Sequence, residues 1–106
     1  MTFEHAFAFP LEGGLHARPA AVLRERALAH DARIAFVNDR SGLTSKVDNL
    51  LGLLATDTRR GDPCRLRAEG PAARAALDDL ALFLRGAFLD SDTPGETAGA
   101  AGGAGP

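Results

Sequence analysis

The chain has 106 residues and a formal net charge of -2, room for one small domain but not for an enzyme with its own lid and cleft. That slightly acidic balance disfavours nucleic-acid binding, which relies on a basic surface to neutralise phosphates. A single cysteine, Cys64, excludes an internal disulfide or a multi-thiolate metal site.

The apolar pattern changes period several times along the chain. Phe3, His5, Phe7 and Phe9 alternate with Glu4, Ala6 and Ala8, predicting a half-buried strand that ends at Pro10. After a loop from Leu11 to Gly14, Ala20, Leu23 and Ala27 recur at helical spacing, predicting a helix from His16 to about Ala29. Residues 32–37 alternate again, with Ile34 and Phe36 on one face. A turn over residues 38–42 leads into a short paired strand over 43–47. Asp48 and Asn49 can cap a short helix carrying Leu50, Leu51, Leu53 and Leu54. Residues 64–68 form a fourth predicted strand, with Cys64, Leu66 and Ala68 on one side. Pro71, tolerated in a first turn, opens a last helix whose stripe is Ala73, Ala76, Leu77, Leu80 and Leu84; Gly86 ends it.

The predicted order is βαββαβα, an α+β chain with helices covering one face of a four-stranded, mostly antiparallel sheet. From Asp90 onward the composition shifts to Gly, Ala, Pro, Ser and acidic residues with no large apolar side chain. Such a segment cannot bury enough surface to offset its ordering entropy. The expected organisation is therefore a folded domain over residues 1–88 and a flexible Gly/Ala-rich tail or linker over 89–106. No apolar run approaches the ~20 residues of a membrane span, and residues 1–5 lack the basic and apolar regions of a signal peptide. The expected location is the cytoplasm, without membrane insertion.

The chemistry concentrates in G-G-L-H-A-R-P-A-A, beginning at Gly13. A glycine loop feeds His16 into the N-terminal cap of an amphipathic helix. The first amides, on Ala17 and Arg18, have no intrahelical acceptor and sit at the positive end of the helix dipole. Pro19 removes a donor where none is needed, and the Arg18 guanidinium adds a permanent cation. An imidazole beside a built-in anion cradle suits a transiently phosphorylated histidine; the alternative is an ordinary exposed histidine beside an arginine. His5, His30 and Cys64 are expected to serve packing or surface roles, and Asp78 and Asp79 to lie on a solvated helix face. No metal spacing, nucleotide loop or catalytic triad is present, so no metal or cofactor is expected.

The segment G-L-H-A-R-P-A, with S-K-V-D-N-L-L-G-L-L from Ser45, Gly61-Asp62 and Ala68-Glu69-Gly70, resembles the histidine-containing phosphocarrier (HPr) family of the phosphoenolpyruvate-dependent sugar phosphotransferase system. The resemblance covers about residues 3–85 and implies an open-faced sandwich. It implies a phosphoryl carrier, rather than a turnover enzyme, that accepts phosphate from phosphorylated Enzyme I and passes it to a IIA domain of a sugar permease. His16 would be the acceptor, through Nδ1, and Arg18 its phosphate-stabilising partner, with the Ala17 and Arg18 amides as the cradle. Leu50, Leu51 and Leu54 would form the partner-docking surface, with Leu53 the better core candidate; alternatively all four leucines fill the core. Asn49 stands where regulated members carry a serine, so it can cap the helix but not be phosphorylated. Gly13 replaces a polar residue often found there, and the tail is unusual for a free-standing carrier. The expected assembly is a monomer or a part of a longer fusion chain. Nitrogen-related and dihydroxyacetone-kinase-related paralogues, and a regulatory binding module on the same fold, are the competing readings.

Overall fold

The computed structural model describes residues 2–86, so the expected tail over 89–106 and the 88/89 boundary lie outside the described residues. Within them the elements run β1 Thr2–Ala8, α1 Ala17–Leu28, β2 Arg33–Asn38, β3 Leu43–Lys46, α2 Leu50–Leu54, β4 Pro63–Glu69 and α3 Ala73–Arg85. The order is the predicted βαββαβα. Spatially the strands lie β1-β4-β2-β3, every neighbouring pair antiparallel.

The register explains why one face is covered. Across the sheet, Phe3 aligns with Ala68 and Ile34, and His5 with Leu66, Phe36 and Ser45. Ile34, Phe36, Leu66 and Ala68 of these rows join the buried core with Leu23, Leu53 and Leu80 from the three helices. The alternate rows carry the polar set: Glu4 opposite Arg67, then Ala35, then Lys46. On that open face Arg65 binds Asp39 and Glu4, Arg67 binds Glu4, and Arg33 binds Glu69. Opposite charges in facing or neighbouring positions pair across the uncovered side of the sheet.

Several boundaries differ from expectation for identifiable reasons. β1 stops at Ala8, where its regular register with β4 ends; the Phe9 backbone still pairs just ahead of β4, its N–H donating to Asp62 O and its carbonyl accepting from Gly61 N–H. Phe9 is thereby buried, against Phe36 in an edge-to-face contact. Asn38, expected in the turn, is the last residue of β2 and fully buried. α3 starts at Ala73 rather than Pro71; its predicted stripe is buried, joined by Ala81 and Phe83.

The expectation of a solvated Asp78–Asp79 face holds for Asp78 alone. Asp79 lies one turn from both Ala76 and Phe83, on the flank of the buried stripe facing the end of α1. There it accepts two hydrogen bonds from Arg26 and lies 2.7 Å from His30 Nε2. The Arg26 guanidinium also covers the Phe83 ring. These bonds, Arg26 first and then His30, hold the Asp79 carboxyl below the ordinary aspartate value. His5 is half-buried and stacks on Phe7. Cys64 is buried, and burial, with Asp62 and Asp39 nearby, pushes its thiol up to about 12, which makes it unreactive.

Candidate phosphoacceptor site

Two loops meet where α1 begins. Leu11 and Leu15 anchor the first in the core, while Glu12 and Gly13 face solvent. The Gly14 amide closes a turn onto Leu11 O at 3.0 Å, and the Leu15 amide donates to Thr58 O at 3.0 Å. Gly14 has φ +75, and a Cβ there would stand 2.5 Å from that same Thr58 carbonyl. Left-handed backbone and close approach both demand glycine at this position.

His16 follows as the N-cap of α1, with extended backbone at φ -90 and ψ -174. Its carbonyl accepts the first helical bond, from Ala20 N–H, and its own amide donates to Gly14 O. The imidazole makes no capping bond. His16, Ala17 and Arg18 are all exposed, whereas Pro19 and Ala20 turn into the core. The sequence-predicted acceptor His16, with Ala17 and Arg18, is therefore part of an exposed stretch at the N-cap and first turn of α1. No acidic residue occupies that turn to compete for the dipole.

The second candidate surface lies on α2, which packs beside α1. Arg24 of α1 donates through Nε to Asp48 O, just ahead of α2. Asn49 is the N-cap and its Oδ1 accepts from Gly52 N–H at 3.0 Å. A five-residue helix cannot hide every side. Leu53 is fully buried, Leu51 is 76% exposed, and Leu50 and Leu54 are half-buried against the core. Exposure and burial are thus divided among the four leucines, with Leu51 the most accessible. Ser45, in contrast, is buried in β3, its hydroxyl bound to Lys46 O.

Sequence reasoning missed the loop that supports the first segment. Thr56, Thr58 and Asp62 are buried with Asn38 in one polar network. Gly61-Asp62 entered only as part of the family resemblance, and the run of polar residues between two apolar elements reads equally well as an exposed loop.

The comparisons with known proteins agree with this architecture. The family model described as "PTS HPr component phosphorylation site" matches residues 4–85. The chain is 32% identical over 87 residues to phosphocarrier protein NPr of Klebsiella oxytoca, covering 81% of this chain and 96% of that protein. It is 34% identical over 87 residues to multiphosphoryl transfer protein 1 of Escherichia coli K12, covering 82% of this chain but spanning only 10% of that protein's length. Among solved structures, the phosphocarrier protein HPr from Bacillus anthracis superposes with a TM-score of 0.70 at 28% identity, covering 77% of this chain and 95% of that one. Sheet order, the histidine at the start of α1 and a family match across almost all described residues converge: the chain belongs to the HPr/NPr-like phosphocarrier family.

Proposed function

We propose that His16 accepts a phosphoryl group from phosphorylated Enzyme I and passes it to a IIA domain. The observation that carries this reading is the exposed N-cap imidazole set directly ahead of the exposed Ala17, Arg18 turn. In the accepting step the lone pair of one imidazole nitrogen attacks the donor phosphohistidine's phosphorus in line. A new N–P bond forms while the donor's N–P bond breaks. Each ring keeps the proton on its other nitrogen, so no separate proton transfer is required. Charge on the equatorial oxygens is met by the Ala17 and Arg18 amides and by the Arg18 guanidinium. Exposure of the site leaves the phosphoryl group accessible to the next acceptor. Leu51, flanked by Leu50 and Leu54, offers the apolar contact on which each partner docks in turn.

The proposed setting is the cytoplasm, with the carrier acting as a monomer or as one domain of a longer fusion chain. Delivery to a sugar-specific IIA domain is the first reading. Similarity to NPr over 96% of that protein's length supports delivery to a nitrogen-related IIA domain as the second.

Incubation with Enzyme I and labelled phosphoenolpyruvate, followed by acid, tests the assignment, because phosphohistidine is acid-labile. The unaltered chain is expected to take acid-labile label and His16→Ala to take none. Since the imidazole makes no cap bond and is exposed, the substitution changes stability by no more than ~0.5 kcal/mol. Acid-labile label on the folded variant refutes the acceptor assignment. Presenting the labelled carrier to sugar-type and nitrogen-type IIA domains separates the two delivery readings by which one removes the label.

A further inference from the structure

The segment that presents His16 is held at both ends by one other loop. At its start, Phe9 exchanges two backbone bonds with that loop, donating to Asp62 O at 2.9 Å and accepting from Gly61 N–H at 2.8 Å. At its end, Leu15, adjacent to His16, donates to Thr58 O. The position of the acceptor histidine is therefore referred to residues 58–62 rather than to α1 alone.

The shape of that supporting loop depends on one buried carboxylate. Asp62 is only 6% exposed. Its Oδ2 accepts from Arg59 N–H at 2.9 Å and from Asn38 Nδ2 at 3.0 Å, and its Oδ1 accepts from Arg40 Nε at 2.8 Å. The first of these bonds closes the loop on itself, and the other two tie it to β2 and the turn that follows. Asn38 also donates to the Thr58 hydroxyl. Arg40 reaches further, to both the carbonyl and the carboxylate of Asp57, a residue held at φ 54. Removing the carboxylate leaves three buried or half-buried donors without their acceptor and frees Thr58 to shift.

We propose that Asp62 is a positioning residue for phosphoryl transfer, acting through Arg59 and Thr58 on Leu15 and so on His16. The inference rests on the assignment of His16 as acceptor. A shift of the supporting carbonyl moves the imbedded end of the loop and spoils in-line approach of the donor, to which transfer rates are steeply sensitive. Docking, which takes place on α2, is left unchanged.

The test compares the unaltered chain with Asp62→Asn, which preserves side-chain shape but presents an amide N–H₂ to one set of donors. Arg40→Gln, at an exposed position, is the second variant should the first not fold. Two quantities are read on folded protein: hydrogen exchange of the Leu15 amide relative to the amides of β4, and the rate of labelling by phosphorylated Enzyme I. Faster exchange at Leu15 than in β4, with a maximal labelling rate lowered about tenfold at an unchanged half-saturating concentration, supports the proposal. Exchange that rises equally at Leu15 and in β4, or an unchanged maximal rate, overturns it. If even the unaltered chain takes no label, the phosphocarrier reading fails instead, and the exchange ratio alone then decides whether Asp62 positions the loop.

Discussion

Leu51 and Leu53 are two residues apart on a five-residue helix, and replacing each in turn separates docking from folding. Leu53 is fully buried among core residues from the helices and sheet. Truncating such a leucine costs ~2–5 kcal/mol, lost transfer energy plus a cavity. A domain of this size has only about 4–13 kcal/mol in total at 0.05–0.15 kcal/mol per residue. Leu53→Ala is therefore expected to lower the melting temperature by ~10–30 °C. Leu51 is 76% exposed, so Leu51→Glu removes little packing and hydrates its new charge, changing stability by no more than ~0.5 kcal/mol. In a docked complex the same glutamate sits where an apolar contact was, at a cost of ~1–2 kcal/mol, about five- to thirtyfold in affinity. Thermal melting beside titrations with Enzyme I and with a IIA domain checks both numbers. The reasoning is refuted if Leu51→Glu melts like Leu53→Ala, or if it melts normally and binds both partners as tightly as the unaltered chain.

Gly14→Ala meets both a left-handed backbone and the Thr58 carbonyl; it is expected to cost at least ~1–3 kcal/mol, seen in denaturant titration, and to slow labelling of His16. Acid stability follows from Asp79 and Asp62. Arg26 and His30 hold Asp79 below its ordinary value; for Asp62 burial acts upward, but the bonds from Asn38, Arg59 N–H and Arg40 outweigh it. A carboxyl depressed in the folded state stabilises above its unfolded value of 3.8 and loses that contribution as pH falls through its folded value. Asp79→Asn is accordingly expected to lower stability at neutral pH and to flatten its decline below 3.8, measured by urea titration at a series of pH values. At α2, Asn49→Ser keeps stability within ~1 kcal/mol, since both residues cap well. The unaltered chain is expected to be inert to an HPr-type serine kinase, with Ser45 buried in β3; mass mapping of a phosphate to Ser45 contradicts this.

Periodicity and end signals carried the element order. Cys64, Leu66 and Ala68 alternate, Ala73, Ala76, Leu77, Leu80 and Leu84 recur at helical spacing, and all eight are buried. Local backbone chemistry likewise put His16 at the start of α1 and Asn49 at the cap of α2, because cap geometry involves only residues a few positions apart. The same local rules singled out Leu53 for the core. Tertiary structure decided everything that depends on which distant element arrives alongside. A helical wheel places Asp79 beside a core stripe but contains nothing of Arg26 and His30, which reach it from another helix. Alternation extends β1 through Phe9 but does not say which backbone it meets there, which is Gly61 and Asp62, just ahead of β4. The polar run from Thr56 to Asp62 has the composition of an exposed loop, and it is the arrival of Asn38 at the end of β2, with Phe9 and Leu15, that gives it buried partners. Periodicity reports on which side of its own element a residue lies, whereas hydrogen bonds between remote segments depend on the packed fold, and those bonds hold the candidate histidine in place.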